Sequence, residues 1–163
     1  MNPFDLRIGL GWDLHRLEAG RECRLGGIVF AHPTGPAGHS DGDAVIHALC
    51  DALMGAAGLD DLGSLFPDTD PRHLGQDSAE FLVAVVAAIA QRGFGVVNVD
   101  LVIATEGPRI APERERMRKR LADLLGIDST RVNVKGKTLE GMGALAHGAG
   151  IAVQAVCLLA PRT

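Results

Sequence analysis

The sequence contains no tyrosine, and only one tryptophan and five phenylalanines among 163 residues. Such scarcity excludes the aromatic platforms on which single-stranded nucleic acids stack. Positive charge is also short. Sixteen Lys and Arg stand against 20 Asp and Glu, a net charge of −4, so neither nucleic acid nor an anionic membrane surface meets a basic footprint. The three cysteines, Cys23, Cys50 and Cys157, are odd in number and widely spaced. They fit neither a disulfide framework nor a zinc knuckle, and read as small buried hydrophobes in a reducing cytosol. Residues 1–7 are mixed and polar, unlike a signal peptide. The longest apolar run, 81–90, is too short to span a bilayer. A soluble, cytoplasmic chain is expected.

What is abundant is apolar residues, at 47%, and glycine, at 21 positions. This composition suits one globular domain spanning residues 1–163, with many tight turns. Hydrophobic periodicity predicts strands at 6–13 and 24–30, a loop at 31–38, and a first helix from an N-cap at Ser40 to about Ala57. Asp43, three residues after Ser40, makes a variant of the capping box. Residues 58–75 form a long Asp/Gly/Pro-rich loop, of a kind that is usually functional or disordered. A second helix starts at Asp77 or Ser78 and ends near Gly93. Its apolar character on nearly all sides predicts deep burial or burial by a partner subunit. A strand at 96–104, a third helix from Pro112 to Gly126, and strands at 131–137 and 151–159 complete a β-β-α-α-β-α-β-β order. The class is α+β, a mixed sheet packed against helices. The last strand is apolar at most positions, which predicts burial on both faces, inside an oligomer.

Asp13 and His15, at i and i+2 of a strand, point to the same side and can share one cation. His47 on the first helix offers a third ligand. Three Asp/His ligands leave a fourth tetrahedral position open, the pattern of a catalytic zinc site, although the spacing alone also suits a surface polar pair. Asp51, one turn after His47, either orients its ring or is an ordinary helix residue. The segment 39–43, His-Ser-Asp-Gly-Asp, opens a helix, where free N–H groups favour an anion; it reads equally as a cap and nothing else. Residues 60–70 read either as a polyol-binding loop or as structural turns. Lys135-Gly136-Lys137-Thr138 is not a Walker A motif, because position 131 is Arg rather than Gly and no apolar helix follows. Gly9-x-Gly11 lacks the third glycine of a dinucleotide fingerprint.

Taken in order, Gly9-Leu10-Gly11-Trp12-Asp13-Leu14-His15, His39-Ser40-Asp41-Gly42-Asp43 with His47, Leu65-Phe66-Pro67-Asp68-Thr69-Asp70 and Asn98-Val99-Asp100 resemble the 2-C-methyl-D-erythritol 2,4-cyclodiphosphate synthases of the non-mevalonate isoprenoid pathway, over essentially the whole chain. The resemblance implies a metal-dependent lyase. It would convert 4-diphosphocytidyl-2-C-methyl-D-erythritol 2-phosphate into the cyclic diphosphate with release of CMP. Asp13, His15 and His47 would then hold Zn²⁺ or another divalent transition metal. Glu140 would hold a second ion, Mg²⁺ or Mn²⁺, on the substrate diphosphate, while His39 and Thr138 stabilise the transition state. Ser40, Asp51, Asp61, Leu62, Gly63, Phe66, Pro67, Asp68, Thr69 and Asp70 would surround the methylerythritol, with Lys137, Leu139, Ala144 and His147 on the phosphate side. Thr105, Gly107, Pro108, Arg109, Ile110 and Ala111 would surround the cytidine. The family is a homotrimer with active sites between subunits.

The sequence departs from the family at two positions. Ala144 and His147 stand where the family usually has an aromatic and an Arg, which changes the lining and the mouth of the trimer's apolar channel. The chain offers no Ser/His/Asp or Cys/His nucleophile, and cyclisation needs none, since the substrate's own 2-phosphate attacks. A phosphohydrolase using zinc-bound water, or a non-catalytic isoprenoid-diphosphate-binding trimer, would share the same three ligands. The first would leave solvent oxygen in its product. The second has no use for an open metal position.

Overall fold

The computed structural model describes residues 5–67 and 69–162. In chain order these form β1 (Arg7–Ala19), β2 (Cys23–Leu25), β3 (Ile28–Phe30), β4 (Thr34–Pro36), α1 (Ala44–Ala56), α2 (Leu62–Leu65), α3 (Ser78–Gln91), β5 (Phe94–Thr105), α4 (Arg114–Leu125), β6 (Val132–Lys137) and β7 (Gly150–Pro161). Five strands make one sheet in the order β4-β1-β7-β5-β6. Only β5 and β6 run parallel. The α+β class and the mixed sheet anticipated from the sequence are therefore observed, but the strand tally is not. The segment 24–30 is a hairpin rather than one strand, because Gly26 and Gly27 both take positive φ (63° and 72°) and turn the chain between β2 and β3. The expected loop at 31–38 contains β4. It pairs with the far end of β1, which runs six residues past its expected end at Asp13. Edge placement lets β4 tolerate Pro36.

Helix α1 lies across β1 and β7, and its approach depends on two glycines of β1. A Cβ at Gly9 would stand 1.9 Å from the Ala52 carbonyl oxygen, and one at Gly11 would stand 1.8 Å from that of Ala48. The Gly-x-Gly pair thus serves helix-on-sheet contact. Gly11→Ala meets backbone that cannot swing aside, and overpacking of this kind costs about 3 kcal/mol. Thermal melting of the metal-free variant checks this, and an unchanged midpoint would contradict the close approach.

The N-cap of α1 is Asp43, not Ser40. The Asp43 carboxylate is fully buried and accepts from Val45 N and Ile46 N at 3.1 Å each. It also accepts from Gly26 N (2.8 Å) and Gly27 N (2.7 Å), so one side chain caps the helix and ties down the β2–β3 turn. These contacts fill the helix start, and the anion site considered there is not formed. Helix α3 is capped by Asp77 and buries Phe81, Leu82, Val85 and Ile89, but Val83 is 52% exposed and Ala84 and Ala87 face solvent. Deep burial is therefore not met within one protomer, because α3 packs on α1, α4 and β5 along one stripe only. Pro112 sits in a 3-10 turn (Ala111–Glu113) before α4, and Gly126 ends that helix in the left-handed conformation, as expected.

Strand β7 alternates. Ile151, Val153, Ala155, Cys157 and Leu159 are buried by the helices, whereas Gln154 and Val156 are exposed. Beside them on the same outer face of β1 stand Ile8, Leu10, Trp12 and Leu14, between 75% and 43% exposed. Burial of β7 on both faces is therefore not met within one protomer. All three cysteines are buried free thiols. Among the described residues no helix is long and apolar enough to cross a membrane.

Candidate active site

The helix-facing side of β1 reads Gly9, Gly11, Asp13, His15. The glycines admit α1, and one turn from the closest approach α1 presents His47. Asp13, His15 and His47 then offer ligand atoms all within 4.8 Å of one another. Asp13 Oδ2 lies 2.8 Å from His15 Nε2 and 3.2 Å from His47 Nδ1, and those two nitrogens are 3.3 Å apart. The outer nitrogens are committed elsewhere. His15 Nδ1 donates to the Ala37 carbonyl, so Nε2 is the nitrogen left to face Asp13, and His47 Nε2 meets Ser78 Oγ at 2.9 Å. Burial raises the Asp13 carboxyl, but hydrogen bonds from His15 and His47 outweigh it and hold the group well below the usual carboxylate range. Burial lowers His15, and the Asp13 hydrogen bond and charge, with the Ala37 carbonyl, raise it on balance. One carboxylate and two oriented imidazoles, half-buried and convergent, fit a divalent cation with a further position open.

Asp51 does not orient His47. Its carboxylate accepts from Leu62 N at 2.8 Å, tying α1 to α2, and burial raises its pKa. The loop 58–75 is ordered by its own acids. Asp61 caps α2 through Ser64, and Asp70 caps the Pro71–His73 turn and pairs with Arg72 at 2.6 Å. This brings Leu62, Gly63 and Phe66 to a small cavity shared with His39, Ser40 and His47. Its apolar wall is Phe66 against Phe81, with ring centroids 4.5 Å apart and the edge of His73 on both. Pro67 and Thr69 flank that cavity in sequence without lining it, and Asp68 lies outside the described residues.

A second cavity, of about 380 Å³, gathers Thr105, Pro108, Arg109, Ile110 and Ala111 with Lys137 and Thr138. Gly107 does not line it. Its N–H donates to Thr105 Oγ1 at 3.2 Å and its carbonyl accepts from the same hydroxyl, which shapes the turn. Thr138 Oγ1 donates to the exposed Glu140 carboxylate. Leu139 is half-buried, and Ala144 and His147 are exposed on the following loop. Glu106 secures that loop by accepting from Gly141 N (2.9 Å) and His147 N (2.6 Å). In the strand register His15 and Thr105 flank Ile151 from opposite sides, so both cavities open at the same end of the sheet, with β7 between them. They share no lining residue, and Glu140 stands outside the Asp13/His15/His47 group.

Sequence reasoning missed Ser78, Phe81, His73 and Glu106 as parts of these sites. Ser78 carried a signal only as a helix start. Its partner His47 is 31 residues away, and nothing local announces such a pairing.

The model of the YgbB family matches residues 6–160 of this chain. The chain is 51% identical over 159 residues to the 2-C-methyl-D-erythritol 2,4-cyclodiphosphate synthase of Laribacter hongkongensis, covering 98% of each. Among solved structures it is similar to a 2C-methyl-D-erythritol-2,4-cyclodiphosphate synthase in a CDP-bound form, with a TM-score of 0.87 and 40% identity over 94% of this chain and 99% of that one. It also matches the bifunctional IspDF from Campylobacter jejuni, with a TM-score of 0.93 and 33% identity over 96% of this chain, and spans 42% of that longer protein.

Proposed function

The chain belongs to the YgbB family, and from that premise we infer that it converts 4-diphosphocytidyl-2-C-methyl-D-erythritol 2-phosphate into 2-C-methyl-D-erythritol 2,4-cyclodiphosphate and CMP. An oxygen of the 2-phosphate bonds to the β-phosphorus, and the bond from that phosphorus to the CMP oxygen breaks. The observation that carries this reading is the convergence of Asp13, His15 and His47 beside the cavity that His39 and Phe66 line.

Asp13, His15 and His47 would hold Zn²⁺ or another divalent transition metal, and Glu140 would hold Mg²⁺ or Mn²⁺. Glu140 offers a single carboxylate, so an ion there would need further ligands from substrate and water. When bound, such ions supply Lewis-acid neutralisation of phosphate charge. The chain's own residues do the rest. The Phe66–Phe81 wall receives the methyl-bearing carbon skeleton, with Ser40, Asp61, Leu62, Gly63 and Asp70 around its hydroxyls. The turn from Thr105 to Ala111 receives the cytidine, and Lys137 and Leu139 carry the phosphate-side backbone. His39 and Thr138 donate hydrogen bonds to charge developing on the oxygens of the transferred phosphoryl group. Holding attacking oxygen and phosphorus in one bound geometry replaces a bimolecular encounter, an effect worth up to about 7–11 kcal/mol.

The substrate spans a nucleotide pocket and a metal-side pocket, and within one protomer these are separate cavities. Assembly as a homotrimer, with the metal-side cavity of one subunit facing the nucleotide cavity of the next, completes the site and covers the outer apolar face of β1 and β7. Ala144 and His147 would stand near that channel. A cytoplasmic location accords with three buried free thiols.

Phosphorus NMR of the protein with the cytidine diphosphate substrate, Mg²⁺ and Zn²⁺ tests the reading. Cyclic diphosphate with stoichiometric CMP is expected. Inorganic phosphate would turn the case to a hydrolase, and an unchanged spectrum with metal bound would turn it to a binding protein.

A further inference from the structure

His47 is held at both ring nitrogens. Nδ1 faces Asp13 Oδ2 and His15 Nε2, while Nε2 lies 2.9 Å from Ser78 Oγ and 3.2 Å from Ser40 Oγ. Ser78 has no solvent exposure, and its hydroxyl is 2.5 Å from Asp41 Oδ1. Asp41 is itself fixed. Its Oδ2 accepts from Ser78 N at 3.1 Å and lies 3.6 Å from Arg24 Nε, and its Oδ1 accepts from Asp43 N at 3.1 Å.

These contacts set the direction of every proton in the row. An ionised carboxylate only accepts, so the Ser78 hydroxyl proton points to Asp41. The hydroxyl oxygen then has only lone pairs to offer His47. His47 must therefore carry a proton on Nε2, and Nδ1 is the nitrogen left to ligate a cation held with Asp13 and His15. The opposite tautomer would set two lone pairs against each other at 2.9 Å in a buried site. Ser40 Oγ is a weaker partner, longer by 0.3 Å.

We propose that Ser78, backed by Asp41, is a positioning residue of the metal centre, which fixes His47 in the tautomer that presents Nδ1. Helix α3 is thereby joined to a site whose ligands all come from β1 and α1. This inference rests on Asp13, His15 and His47 binding a divalent ion. Partners of this kind are worth 10–100-fold in metal affinity in known sites.

The test is Zn²⁺ affinity, by competition with a chromophoric chelator, for wild type, His47→Ala and Ser78→Ala, together with the ¹⁵N spectrum of His47 in the Zn²⁺-loaded wild type. The expected results are a roughly 10–100-fold loss for Ser78→Ala and a His47 proton on Nε2. Wild-type affinity in Ser78→Ala, or a proton on Nδ1 with Nε2 on the metal, would overturn the proposal. Should Ser78→Ala fail to fold, the wild-type spectrum decides alone. Failure of the metal reading looks different: wild type then binds no Zn²⁺, or His47→Ala binds it equally well.

Discussion

Asp13→Ala is expected to give a folded protein that no longer holds a metal at this site and turns over at least about 10³-fold more slowly. Lewis-acid stabilisation of phosphoryl charge is worth several kcal/mol, and each 1.36 kcal/mol is about tenfold in rate. Without Asp13 only two imidazoles remain, too few for a site that keeps a coordination position open. The fold should survive, because the Asp13 side chain is 25% exposed at the margin of the core. Its backbone pairing with Val153 does not involve the carboxylate. Zinc content by elemental analysis, turnover by phosphorus NMR and the far-UV circular dichroism of the variant check the three parts separately. A variant that keeps both metal and turnover would remove Asp13 from the ligand set.

Asp43→Ala is expected to destabilise the protein by about 3–5 kcal/mol, because it leaves buried backbone N–H groups without an acceptor, at about 1–3 kcal/mol each. Loss of a helix cap alone costs about 1 kcal/mol. The excess arises because the same carboxylate also receives Gly26 N and Gly27 N. Against a total stability of about 5–15 kcal/mol this is a large fraction, and at 2–4 °C per kcal/mol the midpoint should fall by about 10 °C. Asp43→Asn should recover only part, since its amide turns at least one donor toward a backbone N–H. Melting of metal-free protein is the measurement, and a midpoint within 2 °C of wild type (roughly 1 kcal/mol or less) would show that the four N–H groups find other partners.

The convergence of Asp13, His15 and His47 is legible in the sequence because these residues sit on elements with clear periodicity. Asp13 and His15 share a strand face by simple alternation, and His47 falls on an unmistakable apolar helix. Asp43 was misjudged for the opposite reason. Ser40 and Asp43 are both good caps by residue type, and the choice was made by Gly26 and Gly27, 17 and 16 residues earlier in the chain. Strand β4 was hidden because two prolines and a glycine at 33–36 read as a loop until an edge position is known to be available. The outer faces of β7 and α3 could not be assigned from hydropathy, because an apolar residue on an exposed face looks the same in sequence as one buried in the core. Ser78 and Glu106 act only through contacts that the tertiary fold creates.

The sheet order also sets a timetable for synthesis. Strand β7 lies between β1 and β5, and Asp13 finds its register partner in Val153, 140 residues later. At 5–20 residues per second the ribosome takes roughly 7–30 s to cover that interval. Through it, β1 is already made but lacks its central neighbour, and the apolar row from Ile8 to Leu14 has nothing to lie beside. For that interval nascent β1 is a strand awaiting a partner, the situation in which holdase chaperones have most to bind. Asp13 and His15 are made long before the sheet that carries them closes, which waits until β7 emerges.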